Sequence, residues 1–508
     1  MSGQVIQGID YAAVAAPLVV ALTAGLVLVL DATLPARPGG RRLLGGVTLG
    51  GVAAALAVVA VQAVQGVRRE TFCVPASLAG VQPAGSQASC SFVADRFTLV
   101  IAAVVLAAGL VVVLLSMSEV AIARTPAGEW YFLLLATLTG AVLLPASRDL
   151  IMLVVSLELV SLPVFALTAL RRYDGRASEA ALKLLLVSVV STAVMLFGVS
   201  LLYGVTGSVH LDRIATFYAT ARPQMPYGGA GVTTVAVVLV LAGFAFKIAA
   251  VPFHFWAGDV YRGAPVPVAA LLSVISKAAG FAGLILILTV ALSRQAAIWS
   301  PVIAVVAALT MTAGNVLALR QRHAVRLLAW SSVAQSGYIL APLAAFTATG
   351  RAGHTGGAVA ASVAYLVFYA AMNLVAFAVV MRVSTERERN TLDDYRGMAL
   401  RSPASGLALA FSLVCLAGLP PGLAGLFAKV VVFREIVAGG LGWLAVVMAV
   451  NTVVGLYYYI AWTARLFTPA EAGSRQQTNA PVAVAAGIAL AVTVVFSVVP
   501  QVVLSALG

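Results

Sequence analysis

Four lysines are the residues of this chain best placed for proton chemistry. Lys183, Lys247, Lys277 and Lys429 are its only lysines, and each lies within sequence otherwise apolar enough to sit in lipid. Burying each costs about 2.5–3.5 kcal/mol on insertion scales, which calls for a functional reason. A desolvated ammonium can release its proton, whereas a guanidinium in a protein cannot. The lysines therefore predict a proton path. The alternative, above all for Lys183, is that the side chain reaches the membrane interface.

One acidic residue is expected to work with these lysines. Glu158 is flanked on both sides by long apolar sequence, IMLVVSLELVSLPVFAL. A carboxylate at that depth needs a nearby cation or a proton of its own. We expect Lys247 to be the partner. Glu158 would then keep the Lys247 ammonium charged, and movement of Glu158 away from it would release the proton of Lys247. The alternative is a glutamic acid that stays protonated and hydrogen-bonded.

His254 follows Lys247 by seven residues and belongs to the residue type that titrates near neutral pH. It is predicted to carry protons between Lys247 and Lys277 through water. The alternative is a histidine that pairs with a carbonyl freed beside Pro252. Six polar residues of two later segments could line a wet path, although each is expected to be a packing residue: Ser331, Ser332, Tyr338, Tyr365, Tyr369 and Asn373.

The composition indicates a polytopic membrane protein. Of the 508 residues, 62% are hydrophobic and 10% are charged, and the mean hydropathy is +1.04. The hydrophobic fraction and the mean hydropathy lie far above those of soluble proteins, and the charged fraction lies far below. The net charge of +13 comes from arginines in short loops between apolar segments. That distribution suits orientation in a bilayer and excludes a nucleic-acid-binding domain.

We predict an all-α fold of about fourteen membrane spans in one membrane domain, residues 1–508. The spans are 10–30, 43–65, 95–116, 128–146, 149–169, 178–204, 231–260, 266–291, 299–319, 324–345, 357–381, 403–437, 441–467 and 480–505. Pro252 interrupts span 7, Pro420 and Pro421 interrupt span 12, and a lysine accompanies each break. The pattern predicts two inverted repeats, residues 128–291 (spans 4–8) and 299–467 (spans 9–13), between residues 1–127 and 480–508.

The arginines predict the orientation, because most of them follow odd-numbered spans. Both termini are therefore expected outside the cytoplasm. The loop between spans 2 and 3 then faces an oxidising compartment. Its Cys73 and Cys90 are either two free thiols or a disulfide, which would contribute about 3 kcal/mol by closing the loop.

No cofactor or metal site is expected in this chain. Three cysteines are too few and too scattered for an iron–sulfur framework, and the histidines lack ligand spacing. No GxGxxG opens a βαβ unit and no GxxxxGK[ST] occurs, so no nucleotide or flavin site is encoded. Any redox chemistry must belong to another chain.

Four segments carry a resemblance to a known family: FKIAAVPFHFWAGDVYRGAP, SKAAGFAGL, AVRLLAWSSVAQSGYIL and LAGLPPGLAGLFAKVVVF. From about Trp130 to Phe467 the chain resembles the antiporter-like membrane subunits of respiratory complex I, the NADH-quinone oxidoreductase. It is most similar to the subunit N type, because a lysine and not a glutamate follows the break of span 12. Around span 10 two residues, His323 and Trp330, depart from the family pattern.

The resemblance implies a proton relay and a set of partners. The relay residues are Glu158, Lys183, Lys247, His254, Lys277 and Lys429. NADH, FMN, iron–sulfur clusters and quinone are expected in partner subunits. The implied neighbours are membrane subunits of the K and M types, the lateral helix of the L type and membrane lipids. The implied location is the bacterial plasma membrane.

The function implied by the resemblance is the coupling of quinone reduction in partner subunits to proton export through this chain. One alternative is a subunit of an Mrp-type cation/proton antiporter, although such a site would favour carboxylates and carbonyls for Na⁺. A second alternative is a structural scaffold. It predicts that proton pumping survives the replacement of Lys247 or Lys277.

Overall fold

The computed structural model describes residues 8–33, 38–74, 88–123, 125–171, 174–220, 229–346, 354–387, 389–469 and 479–506. Within these ranges, the secondary structure consists of helices and one two-stranded antiparallel sheet. The predicted all-α polytopic membrane fold is confirmed. The division into two repeats stays a prediction.

The helices of the first half carry spans 1–8. They are α1 (Ala15–Thr33), α2 (Pro38–Gln65), α3 (Arg96–Ala123), α4 (Ala127–Leu143), α5 (Leu150–Ala169), α6 (Gly175–Thr206), α7 (Leu211–Thr220), α8 (Gly229–Lys247), α9 (Trp256–Gly263), α10 (Val266–Leu271) and α11 (Lys277–Leu286). A π-helical segment, Leu272–Ser276, joins α10 to α11, and a second one, Ile287–Ala291, follows α11. Such π segments occur often at functional sites.

The helices of the second half carry spans 9–14. They are α12 (Ala296–Leu319), α13 (Ala324–Leu340), α14 (His354–Ser384), α15 (Met398–Arg401), α16 (Pro403–Ala417), α17 (Leu423–Ala438), α18 (Gly442–Phe467), α19 (Ala480–Val498) and α20 (Gln501–Ser505). Eleven helical segments among the described residues are long and apolar enough to cross a membrane. The remaining predicted spans correspond to α8–α9, to α13 with its 3₁₀ extension, and to α16–α17.

Aspartates cap the first turns of α5 and α6. Asp149 caps α5 by accepting a hydrogen bond from the amide of Met152 (2.7 Å), and Asp174 caps α6 by accepting from the amide of Arg176 (3.0 Å). Such caps satisfy amides that have no partner within their helix. These caps set where the two helices that face Lys247 begin.

Span 7 breaks where its sequence predicts. After α8 ends at Lys247, residues 248–255 form turns before α9 begins. Ala249 adopts a left-handed conformation (φ 56°), which is uncommon for a residue other than glycine. The amide of Val251 leaves the helical pattern and donates to the hydroxyl of Thr310 (2.9 Å). The break is therefore held by a neighbouring span.

Span 12 breaks at a glycine followed by the two prolines. Helix α16 ends at Ala417, and Gly418 takes a left-handed conformation (φ 81°) that glycine adopts without strain. Its amide donates to the carbonyl oxygens of Val414 (3.0 Å) and Cys415 (2.9 Å). The two following carbonyls, of Leu416 and Ala417, remain for another donor.

A β-hairpin connects α2 to α3. Strand β1 (Arg69–Cys73) pairs antiparallel with β2 (Cys90–Ala94), and Cys73 lies opposite Cys90. The structure joins their sulfur atoms in a disulfide. The remainder of the connecting loop, residues 75–87, lies outside the described residues. Of the disulfide and the two free thiols that the sequence leaves open, the structure has the disulfide.

The segment 266–291 and α14 form the centre of the bundle, and nearly all of their residues are buried. Helices α5 and α6 lie at its edge and expose apolar side chains, among them Ile151, Val155 and Leu186. Lipid or a neighbouring membrane chain suits such a face. The lysines at the centre are therefore enclosed by protein, while the helices beside Lys247 also reach the outer surface.

Candidate functional site

Lys247 is the last residue of α8 and lies where α8 meets α5 and α6. Its ammonium donates to the hydroxyls of Ser161 and Ser188, the latter at 3.1 Å. The Glu158 carboxylate lies 3.8 Å from the Lys247 Nζ atom, within ion-pair distance. Because α8 stops here, the side chain can reach both neighbouring helices. The pairing of Lys247 with Glu158 is the one expected from their charges.

Glu158 lies on α5 at the edge of the bundle. Its carboxylate accepts a hydrogen bond from the hydroxyl of Thr192 on α6 (2.7 Å), and its side chain is 23% exposed. The outward face of α5 that it shares with Val155 and Leu162 is apolar and exposed. A chain packed on this face would therefore lie close to the carboxylate that pairs with Lys247.

Lys277 is enclosed at the centre of the bundle, with 1% of its surface exposed. It begins α11 directly after the first π segment, and its ammonium donates to two groups of α13, the Ser332 carbonyl and the Ser336 hydroxyl (2.7 Å). Ser336 in turn donates to the carbonyl of Ile248 (2.7 Å). Lys277 is thereby linked to the break of span 7, one residue beyond Lys247.

Lys429 lies on α17, beyond the break of span 12. Its ammonium reaches back to the end of α16 and donates to the carbonyls of Leu416 (3.3 Å) and Ala417 (2.5 Å). The same Nζ atom lies 5.8 Å from the centre of the Tyr338 ring, a cation–π distance. No ion pair joins Lys429 to a carboxylate within the described ranges.

A buried polar network lies between Lys277 and Lys429. Tyr459 bonds to Ser331 (2.7 Å) and accepts from Gln335 (3.2 Å), and Tyr365 donates to Gln335 (2.6 Å). Tyr365 stacks on Tyr338, the ring beside Lys429, with 5.8 Å between ring centres. Since Ser331 and Ser332 are neighbours on α13, this network extends from the residues that hold Lys277 to the ring that faces Lys429.

A second polar group supports the far side of Tyr338. Asn315 donates to the Tyr338 hydroxyl (3.4 Å) and to the Asn451 side chain (3.1 Å), and it accepts from Tyr458 (2.9 Å). The sequence reasoning missed five of these network residues: Asn315, Gln335, Asn451, Tyr458 and Tyr459. Their helical spacing is the sequence feature that could have revealed them. Gln335, for example, lies four residues after Ser331 and therefore shares its helical face.

The comparisons with known proteins agree with this arrangement. The profile of the family described as NADH:quinone oxidoreductase/Mrp antiporter, transmembrane, matches residues 147–455. The chain is 53% identical over 474 residues to NADH-quinone oxidoreductase subunit N 2 of Streptomyces griseus subsp. griseus, covering 92% of this chain and 84% of that relative. This chain belongs to the NADH-quinone oxidoreductase subunit N family.

Two solved structures share the fold of this subunit N family member. One is a chain of respiratory complex I from Thermus thermophilus with bound aureothin, with a TM-score of 0.76 and 29% identity over 97% of this chain and 100% of that one. The other is a chain of the Mrp complex from Dietzia sp. DQ12-45-1b, with a TM-score of 0.80 and 20% identity, covering 96% of each chain. The second likeness concerns the fold only.

His254 lies in the turn between α8 and α9, away from both neighbouring lysines. Its ring packs edge-on against Trp330, with 5.8 Å between ring centres, and its buried Nδ1 atom has no hydrogen-bond partner among the described residues. Within the described residues it makes no hydrogen bond or ion pair with Lys247 or Lys277. Both the relay role of His254 and its pairing with a carbonyl beside Pro252 stay predictions.

Lys183 lies on the outer surface of α6 and not in the buried group. Its ammonium pairs with Glu179 (2.6 Å) and with Asp259 of α9 (3.2 Å), and its side chain is 46% exposed. Asp259 also pairs with Arg326 (3.3 Å), so these charges form a surface cluster. The structure therefore separates Lys183 from the other three lysines, as the interface alternative expects.

One group of metal-ligating side chains comes together among the described residues. Glu70 lies beside Cys73 and Cys90 on the hairpin. The disulfide uses both sulfur atoms, and a disulfide sulfur is not the thiolate that metal ions bind. The two cysteines therefore close the hairpin, and Glu70 pairs with Arg68 (2.6 Å).

Proposed function

We propose that this chain translocates protons as the N-type membrane subunit of NADH-quinone oxidoreductase, without a redox centre of its own. The observation that carries the proposal is the buried series of Lys247 with Glu158, Lys277 and Lys429, held by hydroxyls, carbonyls and tyrosines. An ammonium in such surroundings loses its proton more readily when its counter-charge is withdrawn. The series can therefore move charge step by step.

In the proposed cycle, quinone reduction in partner subunits shifts the charges at one end of the membrane domain. The shift separates Glu158 from Lys247, and protons then move through Lys277 to Lys429 and out of the cell. Moving one elementary charge across the membrane takes about 2.3 kcal/mol per 100 mV of transmembrane potential. This work is of the same order as the free-energy cost of burying one lysine in the membrane. The position of Glu158 at the exposed edge of α5 supports a trigger from a neighbouring chain.

The proposed setting is the bacterial plasma membrane, with both termini outside the cytoplasm. Membrane subunits of the K and M types, the lateral helix of an L-type subunit and lipids surround the chain. NADH, FMN, iron–sulfur clusters and quinone belong to partner subunits. The exposed apolar faces of α5 and α6 support such neighbours.

A role in an Mrp-type antiporter has weaker support. The similar chain of the Mrp complex is 20% identical, so it concerns the fold only. Na⁺ prefers oxygen ligands, yet the charges of the site are Lys247, Lys277 and Lys429 with the carboxylate of Glu158. The buried carboxylates of Glu119 and Asp149 lie elsewhere, where Glu119 pairs with Arg171 and Asp149 caps α5. Lysine-rich surroundings favour protons over metal cations.

The replacement Lys247→Ala tests the proposal in the assembled complex. We expect NADH-driven proton translocation in inverted membrane vesicles to fall at least about tenfold, because a positioned proton-transfer group commonly contributes 10²–10⁴-fold. Arg294→Ala is the matched control, since Arg294 is an exposed cation at the end of span 8. A native gel verifies assembly of both variants. Undiminished proton translocation by assembled Lys247→Ala complex would favour the scaffold function instead.

A further inference from the structure

The hydrogen bonds of the site do not by themselves carry a proton from Lys247 to Lys277. The bonded route between them runs from Lys277 to Ser336 and from Ser336 to the carbonyl of Ile248. The single proton of the Ser336 hydroxyl has two acceptors in reach, the carbonyls of Ile248 (2.7 Å) and Ser332 (3.1 Å), and a carbonyl has no proton to pass on. A second connection is therefore needed between the two lysines.

A small cavity lies beside Lys247 and supplies the space for it. The cavity has a volume of about 20 Å³, and Lys247, Ser161, Ser188 and Ser276 line it together with apolar and aromatic residues. A cavity needs roughly 10–15 Å³ and two to four polar partners to hold one water molecule. This cavity meets both requirements.

Ser276 is the residue through which the central span reaches this cavity. From Gly263 to Leu288 it is the one residue that is not fully buried, although it lies at the centre of the bundle. Its hydroxyl makes no hydrogen bond within the described part of the chain. A hydroxyl in the interior of a membrane protein needs a partner, and the cavity is where Ser276 can find one.

The packing of Gly280 shows that this face of the span looks towards Lys247. A Cβ atom added at Gly280 would lie 3.4 Å from the Cβ atom of Lys247 and 3.1 Å from the side chain of Ile248. Ser276 is four residues earlier and so lies on the same helical face. The π segment ends at Ser276, and Lys277 follows it directly.

We propose that Ser276 and one ordered water in this cavity form the step that carries protons between Lys247 and Lys277. Lys247 gives a proton to the water, and the water passes a proton to the Ser276 oxygen. The Ser276 hydroxyl proton then moves to the neutral amine of Lys277, after the rotatable stem of that lysine turns from Ser332 and Ser336 towards Ser276. Each oxygen ends with as many protons as it had. This inference rests on the proposed function.

The replacement Ser276→Ala tests the step in the intact complex. We expect proton translocation per NADH oxidised to fall about tenfold, since positioned groups of this kind commonly contribute 10²–10⁴-fold and a second water offsets part of the loss. Ser276→Thr keeps a hydroxyl and is expected to restore the ratio. Thr289→Val is the matched control, because it removes a hydroxyl of the same span that bonds to its own helix at Ile285 (2.7 Å).

Lys247→Ala, measured in the same vesicles, separates the two proposals. If Lys247→Ala fails to pump while Ser276→Ala pumps like Thr289→Val, the step through Ser276 is wrong and the proposed function stands. If Lys247→Ala also pumps normally, the proposed function itself is wrong. A density map of the wild-type complex that resolves water molecules tests the inference without any variant. We expect a water peak that bridges Lys247 and Ser276. A well-ordered cavity without such a peak would overturn the inference.

Discussion

The breaks after α8 and α16 both free backbone carbonyls inside the membrane domain, but different side chains pair with them. At the first break, the Phe246 carbonyl accepts from the Trp256 indole (3.2 Å) and the Ile248 carbonyl accepts from Ser336 (2.7 Å). At the second break, the Lys429 ammonium serves both remaining carbonyls. Neutral donors hold the first break, whereas a charged donor holds the second.

This difference leaves the two lysines with different freedom. Lys247 has no part in holding its own break and faces the Glu158 carboxylate and two serine hydroxyls. Lys429 is tied to the backbone of its break and faces no carboxylate among the described residues. We infer that Lys247 responds to the movement of an acid, whereas the Lys429 amine combines a proton-transfer role with a structural one.

The largest effect on stability is expected from Lys429→Met. The change leaves the carbonyls of Leu416 and Ala417 without a donor, and each unpaired buried group costs about 1–3 kcal/mol. After Lys247→Met, the hydroxyls of Ser161 and Ser188 can turn to carbonyls of their own helices. The Glu158 carboxylate keeps its hydrogen bond from Thr192. We therefore expect less assembled complex and a lower inactivation temperature for Lys429→Met than for Lys247→Met.

Lys429→Gln serves as the control for that comparison. Its amide can still donate to the end of α16 but cannot carry a proton. Recovery of assembly without recovery of proton translocation would separate the two roles of Lys429. Equal stability of the two methionine variants would contradict the structural role.

The next effect is expected from Glu158→Gln and concerns activity. Glutamine keeps the shape of the side chain and can accept the Thr192 hydrogen bond, so the complex should assemble. It removes the negative charge 3.8 Å from Lys247, and we expect about a tenfold loss of proton translocation, which corresponds to about 1.4 kcal/mol.

Glu435→Gln is the matched control for the acid. Glu435 is a partly buried glutamate of α17, beyond Lys429 and outside the hydrogen bonds of the site. Its replacement should leave proton translocation unchanged. A loss of equal size in both variants would mean that the Glu158 charge has no special connection with Lys247.

The sequence predicts much of this comparison because its strongest signals are local. Hydropathy reveals the spans, and prolines reveal both breaks, although α8 ends five residues before Pro252 and α16 ends three residues before Pro420. Lysines and an acid within apolar sequence stand out for the cost of burying charge. The pairing of Glu158 with Lys247 follows from charge, since few counter-charges exist at that depth.

Other features depend on which helices meet, and the sequence does not reveal that. Tyr459 and Gln335 look like ordinary residues of apolar spans until α13 and α18 come together. Ser276 looks like any small helical residue, and only the cavity distinguishes it. Lys183 resembles the other lysines in sequence, but its helix face points outward to Glu179 and Asp259.

The smallest effect is expected from Trp256→Phe, which tests the neutral donors of the first break. The change removes the indole donor to the Phe246 carbonyl, but that carbonyl keeps the amide of Ala249 (3.0 Å). The loss of one such bond is worth about 0.5–1.5 kcal/mol, so we expect a slightly lower inactivation temperature and near-normal proton translocation. A severe loss of pumping would show that Lys247 depends on its break as strongly as Lys429 does, and the contrast between the two breaks would disappear.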